Sequence, residues 1–433
     1  MIAFRFFFRN AMKTVLFKNV LLNGAETDIL IAGNRFGKIA PALSLPAGMP
    51  DAEIVDGKNL AVLPSFCNAH THAAMTMLRG YADDMALFDW LFKNILPAED
   101  TLTAEDIYCG SRLAALEMIR SGTTFFNDMY FMNGETARAA RELGMRAEIA
   151  MTFVDAMEDE RREKMFAQLA ALPFGGNADG SGRVRFSVAA HAVYTVSEKL
   201  WRRCADVARE RGLRLHVHLS ETKKEVDDCV AAHGLSPVRW LDSLGVLGGN
   251  VIAAHGVWLD DEEIALLRER GVTLVHNPAS NMKLASGIFR GKALSRAGCR
   301  VALGTDGAAS NNNLDMREEM KLAALLAKVS GDPEAVPAVE VFGWATRGGF
   351  RAFGIDAGEI AEGKLADAVF VDLRNERLVP NHNLISNWVY AADARCVRHV
   401  LCDGNFLMRD GVVPGEEEIV EAARRAPFLR RKN

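Results

Sequence analysis

Asn68-Ala69-His70-Thr71-His72 is the stretch whose reading decides the fold. In an extended strand, side chains two apart share a face, so His70 and His72 present two imidazoles to one side. That arrangement suits a metal: neutral imidazole is a common ligand near neutral pH, and two on one rigid strand lose little entropy on binding. An isolated His-x-His also occurs on plain surface strands. The rest of the chain decides between the two readings.

From Leu60 onward, apolar runs of strand length alternate with longer helical patterns, the signature of βα units and a parallel sheet. The runs fall at 61–67, 123–127, 146–152, 184–189, 213–219, 251–254, 272–275 and 301–304. Eight is the number that closes a barrel. Thr103 with Asp106, and Asp260 with Glu263, read as helix starts whose helices stop at Gly122 and before Gly271. Short strand-like pieces precede the barrel and resume after Gly363. The expected fold class is α/β: a (β/α)8 TIM-type barrel with a smaller discontinuous β-sandwich domain formed by the N- and C-terminal segments. The expected boundaries are 12–60 and 363–415 for the small domain, 61–362 for the barrel, and 416–433 for a charged, solvated helix or tail.

The chain has 433 residues, 49% hydrophobic and 25% charged, with a net charge of −5, so it can bury a large core and shows no basic stripe for nucleic acid. The seven cysteines are scattered without a Cys-x-x-Cys pair, which suits reduced thiols in a cytoplasmic protein. The apolar run 4–8 is interrupted by Arg5 and too short to span a bilayer, so no membrane partner is expected. Translation is expected to start at Met12 rather than Met1.

In a parallel barrel, functional groups gather at the C-terminal ends of the strands. His70 and His72 close the first run, His191 the fourth, His216 and His218 the fifth, His255 the sixth, His276 the seventh and Asp306 the eighth. Seven of the ten histidines are thus expected at one mouth. Structural histidines scattered through a core would not choose the same end of successive strands.

Several stretches resemble the amidohydrolase superfamily and, within it, the 5-methylthioadenosine/S-adenosylhomocysteine deaminases. They are 68–76 with Leu78-Arg79-Gly80, Asn127-Asp128-Met129-Tyr130, His218-Leu219-Ser220-Glu221-Thr222, 276–284 and 304–312. The resemblance implies that His70, His72, His218 and Asp306 hold one divalent metal ion, zinc by preference, with iron or manganese as alternatives. The fourth run has no lysine to bridge two metals. His216 faces the same way as His218 but reads as a lining residue deeper in the barrel. By the same resemblance Asp306 takes a proton from water, Glu221 acts as general acid and base, and His255 orients the attacking oxygen. The implied reaction is hydrolytic loss of the 6-amino group from an adenine nucleoside. The His-x-Glu and Pro-Cys-x-x-Cys pattern of other zinc nucleobase deaminases is absent.

Substrate contacts implied by the resemblance are Trp90 of an aromatic lid, Glu99 for the ribose hydroxyls, His191, Ser310, and the shared Glu221 and Asp306. Phe88 and Phe92 read more simply as packing residues. Where the family shows Ser-Pro after the histidine, this chain has Ala192-Val193. Where some relatives place an arginine for the homocysteine carboxylate, it has Met151, with Arg161 or Arg162 nearby. That favours a small uncharged 5′-substituent, as in 5′-methylthioadenosine, over S-adenosylhomocysteine or adenosine. A small-molecule partner is expected, and a homo-oligomer is compatible. The same metal scaffold also serves hydrolases of guanine-like, pterin and triazine rings. A relative that binds without catalysis would lose metal ligands or the proton shuttle, and this chain keeps both.

Overall fold

The computed structural model describes residues 14–45, 52–172, 182–329 and 331–431; the run 4–8 and Met12 lie outside the described residues. The chain opens with β1 (Thr14–Leu22), β2 (Ala25–Ala32), β3 (Arg35–Ala40), β4 (Glu53–Asp56) and β5 (Leu60–Pro64). The run expected at 61–67 is two strands, because Pro64 and Ser65 interrupt it. Proline lacks the N–H that would carry a ladder onward. The first part, β5, pairs with β1, and the barrel begins only with β6 (Phe66–Thr71).

Seven more barrel strands follow: β7 (Thr123–Tyr130), β8 (Arg146–Phe153), β9 (Val184–Ala190), β10 (Leu215–Leu219), β11 (Val251–His255), β12 (Thr273–His276) and β13 (Arg300–Leu303). Each pairs in parallel with its chain neighbours. All residues of β6, β7, β10, β11 and β12 are buried, as a parallel sheet covered on both faces requires. At the seam between β13 and β6 the Asp306 N–H donates to His70 O at 3.0 Å. The Thr305 N–H donates to Asn68 Oδ1 at 3.1 Å. A Cβ at Gly304 would sit 2.8 Å from His70 O, so only glycine allows this approach. The motif that begins at Asn68 therefore helps to close the barrel.

β14 (Ala368–Asp372), β15 (Val397–Cys402) and β16 (Asn405–Met408) return to the N-terminal strands in one mixed sheet of order β16-β15-β14-β5-β1-β2-β3, with β4 beside β1. A buried ion pair ties this sheet to the barrel: Arg146 Nε donates to Asp367 Oδ2 at 2.8 Å. The helix starts at Thr103 and Asp260 both form capping boxes, and Gly122 and Gly271 end those helices in the left-handed region.

The C-terminal segment is not solvated as expected. Ile419 and Ala423 of the helix Glu416–Arg424 are buried, as is Phe428 beyond it, and the Phe428 N–H donates to Asp106 Oδ1 at 2.7 Å. Charged residues on the outer face hide this apolar stripe in a composition reading. Among the described residues, no helix is long and apolar enough to cross a membrane.

Candidate metal centre and active site

His70 lies on β6 and His72 one residue beyond it, so the period of two aims both rings into the barrel mouth. Asp306 follows β13 and meets both. Its Oδ1 is 3.1 Å from His70 Nε2 and 3.2 Å from His72 Nε2. His218 of β10 completes the group: its ring centroid is 5.0 Å from that of His70 and 5.5 Å from that of His72. Ligand atoms of His70, His72 and His218 lie within 4.8 Å of one another, as do those of His70, His255 and Asp306.

This donor set fits a divalent cation. Burial drives the His70 imidazole down to about 4 and that of His218 well below its ordinary value, so both rings are neutral and offer lone pairs. Burial would raise Asp306, but its bonds to His70 and His72 hold it well below the carboxylate range. Burial opposes charge on His72 too, yet Asp306 and the Met129 carbonyl lift it to about 9. Without a cation, one proton on His72 balances the Asp306 charge. Three imidazoles and a carboxylate are the donors that borderline divalent ions prefer.

Each ligand is held from behind. His216 lies between His70 and Asn127: its Nε2 is 3.0 Å from His70 Nδ1, and its Nδ1 is 3.0 Å from Asn127 Nδ2. It is thus an orienting neighbour of His70. His72 Nδ1 donates to Met129 O at 2.5 Å, and His218 Nδ1 donates to His191 O at 3.1 Å. Ser280 and Ser310 hydroxyls donate to Asp306 Oδ2 at 2.6 and 3.0 Å. Such contacts fix ring orientation and ligand basicity.

A cavity of about 460 Å³ opens above these residues, lined by His72, His218, Glu221, His255 and Asp306 on one side and by Trp90, Glu99, Tyr130 and His191 on the other. Glu221 is buried and its carboxyl is raised, chiefly by that burial. The Ser286 hydroxyl donates to its Oε1 at 3.1 Å, and His255 Nε2 lies 3.7 Å from its Oε2. His255 Nδ1 donates to Asn281 Oδ1 at 2.8 Å, which leaves Nε2 aimed at the cavity. Ser220, His255 and Asp306 all have positive φ, 50°, 75° and 60°. Non-glycine residues in that region cost about 1–2 kcal/mol each, and such strain concentrates at functional sites. Glu225 holds the turn at Ser220 by accepting the Ser220 and Glu221 N–H groups at 3.0 and 2.7 Å.

On the lid side, Leu87–Glu99 is a short helix with a π-helical middle at Leu91–Ile95 that turns Trp90 and Glu99 inward. Among the described residues, Trp90 Nε1, Glu99 Oε1 and Tyr130 Oη are buried and meet no partner at full hydrogen-bond geometry, although the Tyr130 hydroxyl lies near enough to Glu99 for the two to influence each other. Burial lifts the Glu99 carboxyl to about 7, against the opposing influence of the Tyr130 hydroxyl and His72. Phe92 lines the cavity, whereas Phe88 packs on Tyr194 with ring centroids 5.1 Å apart and does not line it.

Not every expected residue reaches the cavity. His276 stacks on Phe289 at 4.1 Å, and of the seven histidines four, His72, His191, His218 and His255, line the cavity, with His70 and His216 packed behind them. Ser310 bonds to Asp306 and does not line the cavity. Met151 does not line it either, whereas Arg161 does; Arg162 is turned into Asp155 at 3.6 Å. Sequence reasoning gave no role to Ser280 and Asn281 on the short helix Pro278–Lys283, to Ser286 just beyond it, or to Glu225 in the first turn of the helix Lys223–His233. Their positions shortly after the ends of barrel strands were the available signal.

The barrel, the His-x-His strand and the later histidines and aspartate define a metal-dependent hydrolase fold. The amidohydrolase family pattern matches residues 61–407, and the chain belongs to that family. It is 48% identical over 382 residues to a 5′-deoxyadenosine deaminase of Methanoregula boonei, covering 88% of this chain and 86% of the relative. A 5-methylthioadenosine/S-adenosylhomocysteine deaminase of Thermococcus sibiricus is 46% identical, covering 88% of this chain and 90% of its own. The crystal structure of a zinc-bound adenosine deaminase from Xanthomonas campestris superposes with a TM-score of 0.90 at 34% identity, covering 97% of this chain and 99% of that one. Atrazine chlorohydrolase from Arthrobacter aurescens shares the fold, with a TM-score of 0.87 at 22% identity over 95% of this chain and 99% of its own.

Proposed function

We propose that this chain is a hydrolytic deaminase that replaces the 6-amino group of an adenine nucleoside with oxygen, giving the inosine analogue and ammonia. The favoured substrates carry a small uncharged 5′-group, as in 5′-methylthioadenosine or 5′-deoxyadenosine. The observation that carries this reading is the lid side of the cavity, where Trp90 Nε1, Glu99 Oε1 and Tyr130 Oη await partners opposite the metal donors. A ribose diol, whose two hydroxyls each donate and accept, supplies such partners beyond the base; a pterin or triazine carries its donors and acceptors on the reacting ring itself. Leaving buried polar groups unmatched costs about 1–3 kcal/mol each, which discriminates between the two classes.

In the mechanism we propose, His70, His72, His218 and Asp306 would hold one divalent cation, zinc in the first instance, with iron or manganese suiting the same donors. When bound, that ion supplies Lewis acidity, lowering the pKa of water from 15.7 toward about 7. Asp306 receives the proton that the attacking water releases. Glu221, kept protonated more readily by its burial, donates to the purine ring nitrogen as oxygen adds to C6. The Glu221 carboxylate so formed takes up the proton remaining on the added oxygen and passes it to the departing amine, which leaves as ammonia, and the proton on Asp306 restores the Glu221 acid. His255, held by Asn281, orients the attacking oxygen through Nε2.

One observation favours a second reading of the 5′-group. Arg161 lines the cavity with only a loose 4.0 Å pairing to Glu158, which suits a homocysteine carboxylate. Ammonia release over a panel of adenine, adenosine, 5′-deoxyadenosine, 5′-methylthioadenosine and S-adenosylhomocysteine tests the proposal. Release from nucleosides far above that from free adenine is expected; equal release from adenine, or release from triazines instead, would overturn it.

A further inference from the structure

A second cavity, of about 540 Å³, lies at the opposite end of the barrel from the metal donors. Its wall is formed by the start of β12 and β13 and by the helical run Ala338–Ala352 that packs under them. Four guanidinium groups, Arg214, Arg300, Arg347 and Arg351, face one carboxylate there, Glu340, which is already engaged by the Ser295 hydroxyl. This excess of positive charge stands in a chain whose net charge is −5.

The arginines are poorly neutralised. Arg214 lies 3.5 Å from Glu148, which it must share with Arg185 at 2.8 Å. Arg347 reaches Glu359 only at 3.7 Å. Arg300 donates to the Gly271 carbonyl at 3.0 Å, and among the described residues neither Arg300 nor Arg351 has an ion-pair partner. Gathering like charges around a concavity is unfavourable unless an anion enters, and planar guanidinium forks match phosphate oxygens in pairs. The volume exceeds what a bare phosphate fills, and Trp344 supplies an apolar surface on the same wall.

We propose that this basal cavity binds a small organic phosphate monoester, with Arg300, Arg347 and Arg351 holding the phosphate and Trp344 contacting the organic part. Calorimetric titration of the full metal-loaded chain with glycerol 3-phosphate, orthophosphate and unphosphorylated glycerol tests it. The double variant Arg347→Ala/Arg351→Ala alters exposed side chains outside the catalytic cavity, and Arg202→Ala/Arg424→Ala removes the same charge elsewhere. Saturable one-to-one binding of the ester is expected, weakened about tenfold or more in the first double variant and unchanged in the second. No saturable binding, equal weakening in both variants, or binding of orthophosphate without the ester would overturn it.

Discussion

The two sides of the upper cavity are built on different terms. On the barrel side, the ring nitrogens and carboxylate oxygens of His70, His72, His218, His255 and Asp306 meet partners from the strands and loops behind them. On the lid side, among the described residues, Trp90 Nε1, Glu99 Oε1 and Tyr130 Oη are buried and meet no partner at full hydrogen-bond geometry. A pre-wired half spends little reorganisation when it reacts, whereas an unmatched half is completed by what binds. Chemistry and substrate choice are thus separated in space, and variants on the two sides should fail in different ways.

The largest effect is expected at Glu221. Glu221→Gln keeps the shape but cannot shuttle a proton, so kcat should fall by about 10²–10⁴ with metal content unchanged. Near-normal turnover in that variant would place the proton transfer elsewhere and dissolve the distinction. His216→Leu should act behind the same side, weakening metal affinity by about 10–100-fold through the loss of the His70 contact. Competition with a chelator measures this directly; unchanged affinity would make His216 simple packing.

On the lid side, Glu99→Gln and Tyr130→Phe should raise KM for nucleosides while leaving metal content intact. The loss for Glu99 is expected near tenfold to a hundredfold, as for a charged hydrogen bond of about 1.5–3 kcal/mol. The smaller activity on free adenine should be unaffected. A parallel loss on adenine would show that the lid serves the chemistry as well.

Much of this division could be read in the sequence, for reasons that are local. The period of two at His70 and His72, the strand-end positions of His218, His255 and Asp306, and the caps at Thr103 and Asp260 depend on a few adjacent residues. What escaped depends on distant partners. Asn281, on the helix Pro278–Lys283, and Ser286, just beyond it, act only because that segment passes behind His255 and Glu221. The split at Pro64 depends on β14 pairing with β5 about 300 residues later. His276 has the right position on its strand, but Phe289 supplies a stacking surface on the other side. The C-terminal helix needed Asp106 to show that it is docked.

Glu319 gives a test of the barrel side that does not depend on turnover. It is buried, accepts hydrogen bonds from the Ala279 N–H at 3.1 Å and from Asn311 Nδ2 at 2.7 Å, and so joins the short helices Pro278–Lys283 and Ala308–Asn311 that carry Ser280 and Ser310. Burial raises its carboxyl from 4.5 to about 8 despite those bonds. A carboxyl whose folded-state value is raised contributes its stability at pH below the unfolded value. That contribution fades as pH rises from about 4.5 toward 8, a loss on the order of a few kcal/mol. Urea denaturation of the metal-loaded protein between pH 5 and 8 should therefore show a shallower decline in Glu319→Gln than in the parent. An identical slope would mean that Glu319 is ionised throughout.

The smallest effect is expected at Arg161, and it sharpens the substrate side. Its side chain is more than half exposed and its pairing with Glu158 is long, so its removal should cost no fold stability. If the 5′-group is small and uncharged, Arg161→Ala should leave kcat/KM for 5′-methylthioadenosine unchanged and reduce any activity on S-adenosylhomocysteine by about tenfold or less, the worth of one solvent-screened charge. A loss on both substrates would move Arg161 from the 5′-end to the lid itself. The two substrates differ only beyond the 5′-sulfur, so their ratio in this one variant locates the guanidinium along the bound nucleoside.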